Sequence, residues 1–167
     1  MHFRLAALLA LTTATTAGAQ AIATMQPLYE DVKQNVIKSA ELMPEADYAS
    51  KPTPAVRSFG QLVGHVANAN FTICATAKGE KSPAVQDFEK NTEKAALVKG
   101  LKDAFAYCDA VYKMADAALS GSAELFGMKM TRLAFAFMNV THDNLHYGNM
   151  ITYLRIKGLV PPSSGKM

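Results

Sequence analysis

VTHDNLHYGNM, residues 140–150, sets two histidines four positions apart in an apolar stretch of the chain. Four positions make about one turn of an α-helix, so on a helix His142 and His146 stand one above the other. The flanking sequence supports a helix from about Thr131 to Lys157, closed by Gly158 with Pro161-Pro162 beyond. At about 100° per residue, Phe135, Met138, His142, His146, Asn149 and Tyr153 fall within a narrow stripe, with Leu145 at its edge. Both histidines are therefore expected on the face that meets the core.

Three further helices are expected, and no convincing strand. The first runs from about Met25 to Met43, with Leu28, Val32, Val36 and Met43 at helical spacing and Pro44 beyond. The second starts at Ser58, which with Gln61 forms an S-x-x-Q capping box, and Gly79 suits its left-handed stop. Phe59, Leu62, Val63, Val66 and Ile73 share its apolar face, with His65 on the flank. The third runs from about Glu93 to Leu119, where Val98, Leu101, Phe105, Cys108, Tyr112, Ala115 and Leu119 follow a three-four alternation. Four helices of this size make an all-α four-helix bundle.

The chain has 167 residues, half of them apolar, and a net charge of +3 with the charges interspersed. One domain is expected, with no nucleic-acid patch. Residues 1–20 read as a signal peptide: Arg4, an apolar run from Leu5 to Leu11, then small residues up to Ala17-Gly18-Ala19. The bundle domain is then 21–167, exported to the periplasm or secreted. No stable membrane insertion is expected, since no later segment approaches about 18 apolar residues. In an oxidising compartment Cys74 and Cys108, the only cysteines, either form a disulfide or lie as two buried thiols.

Beyond residue 20 the histidines are His65, His142 and His146. A bundle that packs the second and fourth helices together can aim all three at one point. Three neutral imidazoles with an open position are an established catalytic metal arrangement. The other reading is three half-buried histidines satisfied by hydrogen bonds. HDNLH differs by one residue from the zinc-protease pattern H-E-x-x-H, but Asp143 has a shorter arm than glutamate and no further histidine follows. No Ser-His-Asp arrangement and no phosphate-binding loop is legible.

The stretch KPTPAVRSFGQLVGHVANANFTICATAKGE, residues 51–80, and THDNLHYGNMITYLRIKGLVPPSS, residues 141–164, resemble the DinB/YfiT-like superfamily of four-helix bundle proteins. The resemblance runs from about Glu41 through the VPPSS segment. It implies a divalent metal, usually nickel or zinc, held by His65, His142 and His146; iron and manganese also accept imidazole. It also implies pairing into homodimers and, in some relatives, transferase or isomerase chemistry with mycothiol, bacillithiol or glutathione. Those thiols are cytosolic, which sets thiol transfer against the export signal without touching the metal site.

A metal-bound imidazole needs a partner for its second nitrogen. Asn149, one turn below His146 on the stripe, is the foremost candidate. Asp143 is expected to face a neighbouring helix or solvent, and Tyr153 to pack with its hydroxyl on a buried partner, a phenol lent to a substrate being the alternative. Met138 and Phe135 would wall the site. The functional expectation is a metal-dependent hydrolase or transferase of a small molecule of unknown identity. The alternative is a non-catalytic metal-binding or structural bundle of the cell envelope.

Overall fold

The computed structural model describes residues 20–165, most of them in four helices: α1 (Ala21–Leu42), α2 (Phe59–Lys78), α3 (Lys94–Cys108) and α4 (Arg132–Ile156). The signal peptide expected over residues 1–20 lies, but for Gln20, outside them. α2 packs most extensively against α3 and α4, and α1 against α4. The expected four-helix bundle is present, with a short hairpin added. Among the described residues no helix is long and apolar enough to cross a membrane.

The ends of α2 follow from its sequence. Ser58 Oγ accepts the Gln61 N–H at 3.2 Å while Gln61 Oε1 accepts the Ser58 N–H at 2.9 Å, a reciprocal cap that contributes about 1 kcal/mol. Gly79, at φ +73°, makes the left-handed stop. The Arg132 guanidinium then donates to the terminal carbonyls of Ala77 and Lys78, tying the end of α2 to the start of α4.

α1 begins four residues before the expected start, because a distant side chain caps it. The Asp116 carboxylate accepts the N–H groups of Ala21 and Ile22 at 2.7 and 3.0 Å. Leu28, expected on the inner face, is 62% exposed, whereas Met25, Tyr29, Val32 and Val36 are buried.

The third helix is shorter than expected. α3 stops at Cys108, and the chain continues through 3-10 turns at Val111–Lys113 and Asp116–Leu119. Tertiary bonds explain the break. The Tyr29 hydroxyl donates to Asp109 at 2.7 Å, and Lys33 donates to the same carboxylate at 2.9 Å. Tyr112 stacks on Tyr29, with ring centroids 3.7 Å apart, and its hydroxyl reaches Asn139 Oδ1 at 2.6 Å. A continuing helix could not also deliver Asp116 to the start of α1. The buried seam of α3 is Leu97, Leu101, Phe105 and Cys108, with Val98 displaced to its edge. A disulfide joins Cys74 to Cys108, their Cα atoms 5.4 Å apart.

Two strands occur where none was expected. β1 (Ser122–Leu125) pairs antiparallel with β2 (Met128–Thr131) across the two-residue turn Phe126-Gly127, both at positive φ. The hairpin leads directly into α4, whose first turn is capped by Thr131 Oγ1 on the Ala134 N–H at 3.1 Å. Past α4, Ser163 folds back onto Tyr147, accepting its hydroxyl proton at 2.7 Å and returning its own N–H at 3.0 Å.

Candidate metal centre

α2 carries His65 and α4 carries His142 and His146, and the packing of the two helices brings the rings together. Ring centroids are 5.2 Å apart for His65 and His142, 4.7 Å for His65 and His146, and 4.4 Å for His142 and His146. One nitrogen from each ring lies within 4.8 Å of the others. The Nε2 atoms of His142 and His146 are 3.1 Å apart. Metal–nitrogen bonds of about 2.0–2.1 Å put neighbouring ligand atoms roughly 3 Å apart, so these two rings already stand as a chelating pair.

His65 is held by a residue the sequence did not point to. Its Nδ1 lies 2.7 Å from Glu89 Oε1, and Glu89 Oε2 accepts from Arg57 Nε at 2.9 Å. Glu89 sits in a 3-10 turn, Phe88–Lys90, that Asn68 of α2 pins down: its Oδ1 accepts the Phe88 N–H at 3.0 Å and its Nδ2 donates to Asp87 at 2.7 Å. The turn can approach because residue 64 has no side chain. A Cβ there would stand 2.4 Å from the Phe88 carbonyl oxygen. Gly64, beside His65, was the one hint in the sequence that backbone must come close at this point.

The three candidates for supporting roles fall differently. Asn149 is exposed, with Nδ2 3.3 Å from His146 Nδ1; turning the amide over presents Oδ1 as the acceptor a metal-bound imidazole needs. Asp143 faces α2 and is fully buried, with Oδ1 accepting from Asn70 Nδ2 at 2.7 Å. Its Oδ1 is also 4.0 Å from His142 Nδ1, and both that nitrogen and Asp143 Oδ2 are buried without a hydrogen bond. The Tyr153 hydroxyl donates to the Arg57 carbonyl at 2.6 Å, the packed role expected of it ahead of a substrate contact, and anchors the 51–57 connection. Phe135 is fully buried, Met138 half-buried at the edge, and Leu145 points outward at 63% exposure.

Burial lowers the basicity of the cluster. It pushes His146 down to about 4, helped by the charges of His142, His65 and Arg57. Burial also lowers His65, against the opposing pull of Glu89. Burial alone would raise Glu89, but hydrogen bonds from Arg57 and His65 outweigh it and hold the carboxyl below its usual range. At neutral pH His65 is therefore a neutral ring donating Nδ1–H to a carboxylate, with Nε2 as its free lone pair. Neutral imidazoles backed by a carboxylate fit a divalent ion.

Glu89→Gln should weaken divalent metal binding by about 10–100-fold, read by competition against a chromophoric chelator, because a neutral amide orients and polarises His65 less. Metal-free protein should also lose stability in acid. The folded-state value of His146 lies below the 6.5 of a free histidine, so its contribution is whole above about pH 6.5 and is lost as pH falls to about 4, on the order of 3 kcal/mol in all. Denaturation midpoints of chelator-treated protein should fall more steeply over that window than those of His146→Gln. Asp143, raised by burial, has the opposite sign but is present in both proteins. Equal slopes would contradict the assignment.

A four-helix bundle with three histidines converging from two of its helices defines a class of candidate metal-binding proteins. The chain belongs to the DinB superfamily, whose model matches residues 28–150. It is similar in fold to a DinB-like protein from Bacillus cereus ATCC 10987, with a TM-score of 0.69 at 18% identity over 84% of this chain and 93% of that one. A DinB-like protein from Bacillus subtilis, YjoA, gives 0.63 at 19% identity with the same coverage. The mycothiol-dependent maleylpyruvate isomerase gives 0.61 at 14% identity over 77% of this chain and 60% of that one. No curated protein matches the chain.

Proposed function

We propose that the protein binds one divalent metal ion through His65, His142 and His146 and acts as a metal-dependent hydrolase or transferase on a small molecule. The observation that carries this reading is the convergence of three rings, one of them already backed by the Glu89 carboxylate at 2.7 Å. Bound by three imidazoles, such an ion supplies Lewis acidity to an oxygen or sulfur atom in its open position. The chain's own residues then orient and exclude. Glu89 fixes the His65 ring, Asn149 serves His146 from the open side, and a cleft of about 470 Å³ beside His146 and Asn149 offers room for a substrate.

Nickel or zinc is the ion we favour, ahead of iron or manganese; imidazole accepts all four, and availability decides. The likeness to the isomerase supports the fold and leaves that protein's thiol with that protein. We place this chain outside the cytoplasm, on the signal-like residues 1–20 and on the Cys74–Cys108 bridge, which an oxidising compartment favours.

Elemental analysis of untagged protein beside a His65/His142/His146→Ala variant tests the site. About one metal per chain, lost in the variant, is expected. Protein that takes up none of nickel, zinc, iron or manganese would overturn the proposal.

A further inference from the structure

The cleft beside His146 has a chemical bias. Its walls come from the connection before α2, from α2 itself and from α4, with Pro52, Ala55, Val56 and Leu62 on the apolar side. Val56 is 41% exposed. Thr53, Thr152 and Asn149 supply neutral polar groups, and Arg57 is the one charged side chain in the lining. The Arg57 backbone is pinned by the Tyr153 hydroxyl, so the guanidinium starts from a fixed root. Among the described residues its only hydrogen-bond partner is Glu89, through Nε at 2.9 Å and, at the limit of a bond, through Nη2 at 3.5 Å. Glu89 is shared with His65 and does not line the cleft. Arg57 thus lines a largely apolar cleft with a side chain 44% exposed and guanidinium donors left over after Glu89.

Resting on the metal-site reading above, we infer that the substrate of this cleft is a monocarboxylate with an apolar body, received by Arg57. A guanidinium matches a carboxylate in shape and in its paired donors, and it is less strongly hydrated than an ammonium group. A cationic ligand would find no free carboxylate in the lining. A phosphate ester fits less well, because no lysine and no second arginine joins Arg57 there. The apolar walls take the hydrocarbon part, and the carboxylate at Arg57 holds the remainder of the molecule toward His146. Arg57 is in this reading a substrate-binding residue coupled to the metal ligands through the carboxylate it shares with His65.

Calorimetric titration of the zinc-treated full chain with hexanoate, hexanamide and inorganic phosphate tests the inference, with zinc content measured on every sample. Hexanoate should bind at least about tenfold tighter than hexanamide, the preference should vanish in Arg57→Met, and Arg57→Lys should keep part of it. Acid and amide are compared within each variant at its measured zinc content, so a change in zinc between Arg57→Met and wild type does not enter the preference. Equal binding of acid and amide, or a preference unchanged in Arg57→Met, would overturn the assignment, the latter by placing the carboxylate on another group. Phosphate displacing hexanoate at equal concentration would also overturn it. Wild type without zinc would sink the metal reading separately, and the same acid-to-amide comparison on that metal-free protein would still decide the role of Arg57.

Discussion

His146→Ala should lower divalent metal affinity by more than about 100-fold, beyond the 10–100-fold typical of removing a partner behind a ligand. The Nε2 atoms of His142 and His146 stand 3.1 Å apart, and this chelating pair is what the substitution destroys. His65 and His142 remain, but on different helices and with ring centroids 5.2 Å apart. Alanine is a strong helix former, and the ring it replaces sits at the rim of the core, 9% exposed, so α4 should persist. Far-ultraviolet circular dichroism should be unchanged while a chelator competition shifts. Metal content equal to wild type after dialysis would contradict the three-histidine site.

Removing the disulfide should have the largest effect on stability. The bridge closes a separation of 34 residues, for which the chain-entropy account gives about 4 kcal/mol. In a domain of this size that corresponds to a fall of about 10 °C in melting temperature for Cys74→Ala/Cys108→Ala. The closed segment includes the turn that carries Glu89, so the bridge also restricts the loop behind His65. Calorimetry of the double variant, and of wild type with and without dithiothreitol, reads the effect. A shift of less than about 2 °C would mean that α2 and α3 hold each other without the bond.

The parts of this structure legible in the sequence are those set by local chemistry. Ser58, Gln61 and Gly79 bound α2 through bonds between near neighbours. The spacing of His142 and His146 placed them on one face because a helix repeats every few residues. What stayed illegible was decided by distant partners. The heptad pattern through Leu119 suggested one long helix, yet Asp109, Tyr112 and Asp116 each bond to α1 or α4 and the chain turns to reach them. The hairpin was hidden by strands of four residues and by a Phe-Gly turn, since the usual signal for such a turn is Asn-Gly or Asp-Gly. Glu89 lies 24 residues from His65 in a polar connection, with no pattern to single it out. On α4, the histidine stripe proved to be the margin of the buried face, whose middle holds Asn139, Asp143 and Met150.

That buried middle matters for alignment. Asn70 of α2 donates to Asp143, Asn139 donates to Asn70, and Tyr112 donates to Asn139, at 2.7, 3.0 and 2.6 Å. Apolar contact is indifferent to a small slide of one helix along another. These bonds are not, because each depends on one donor meeting one acceptor. A shift of α4 by a single turn, about 5.4 Å, would leave leucines and valines still covered but would strand every member of the chain of amides. The same shift would carry His142 and His146 past His65. Asn70, Asn139, Asp143 and Tyr112 therefore act as a key between the helices, and the histidine cluster takes its registration from hydrogen bonds in which none of the three histidines takes part.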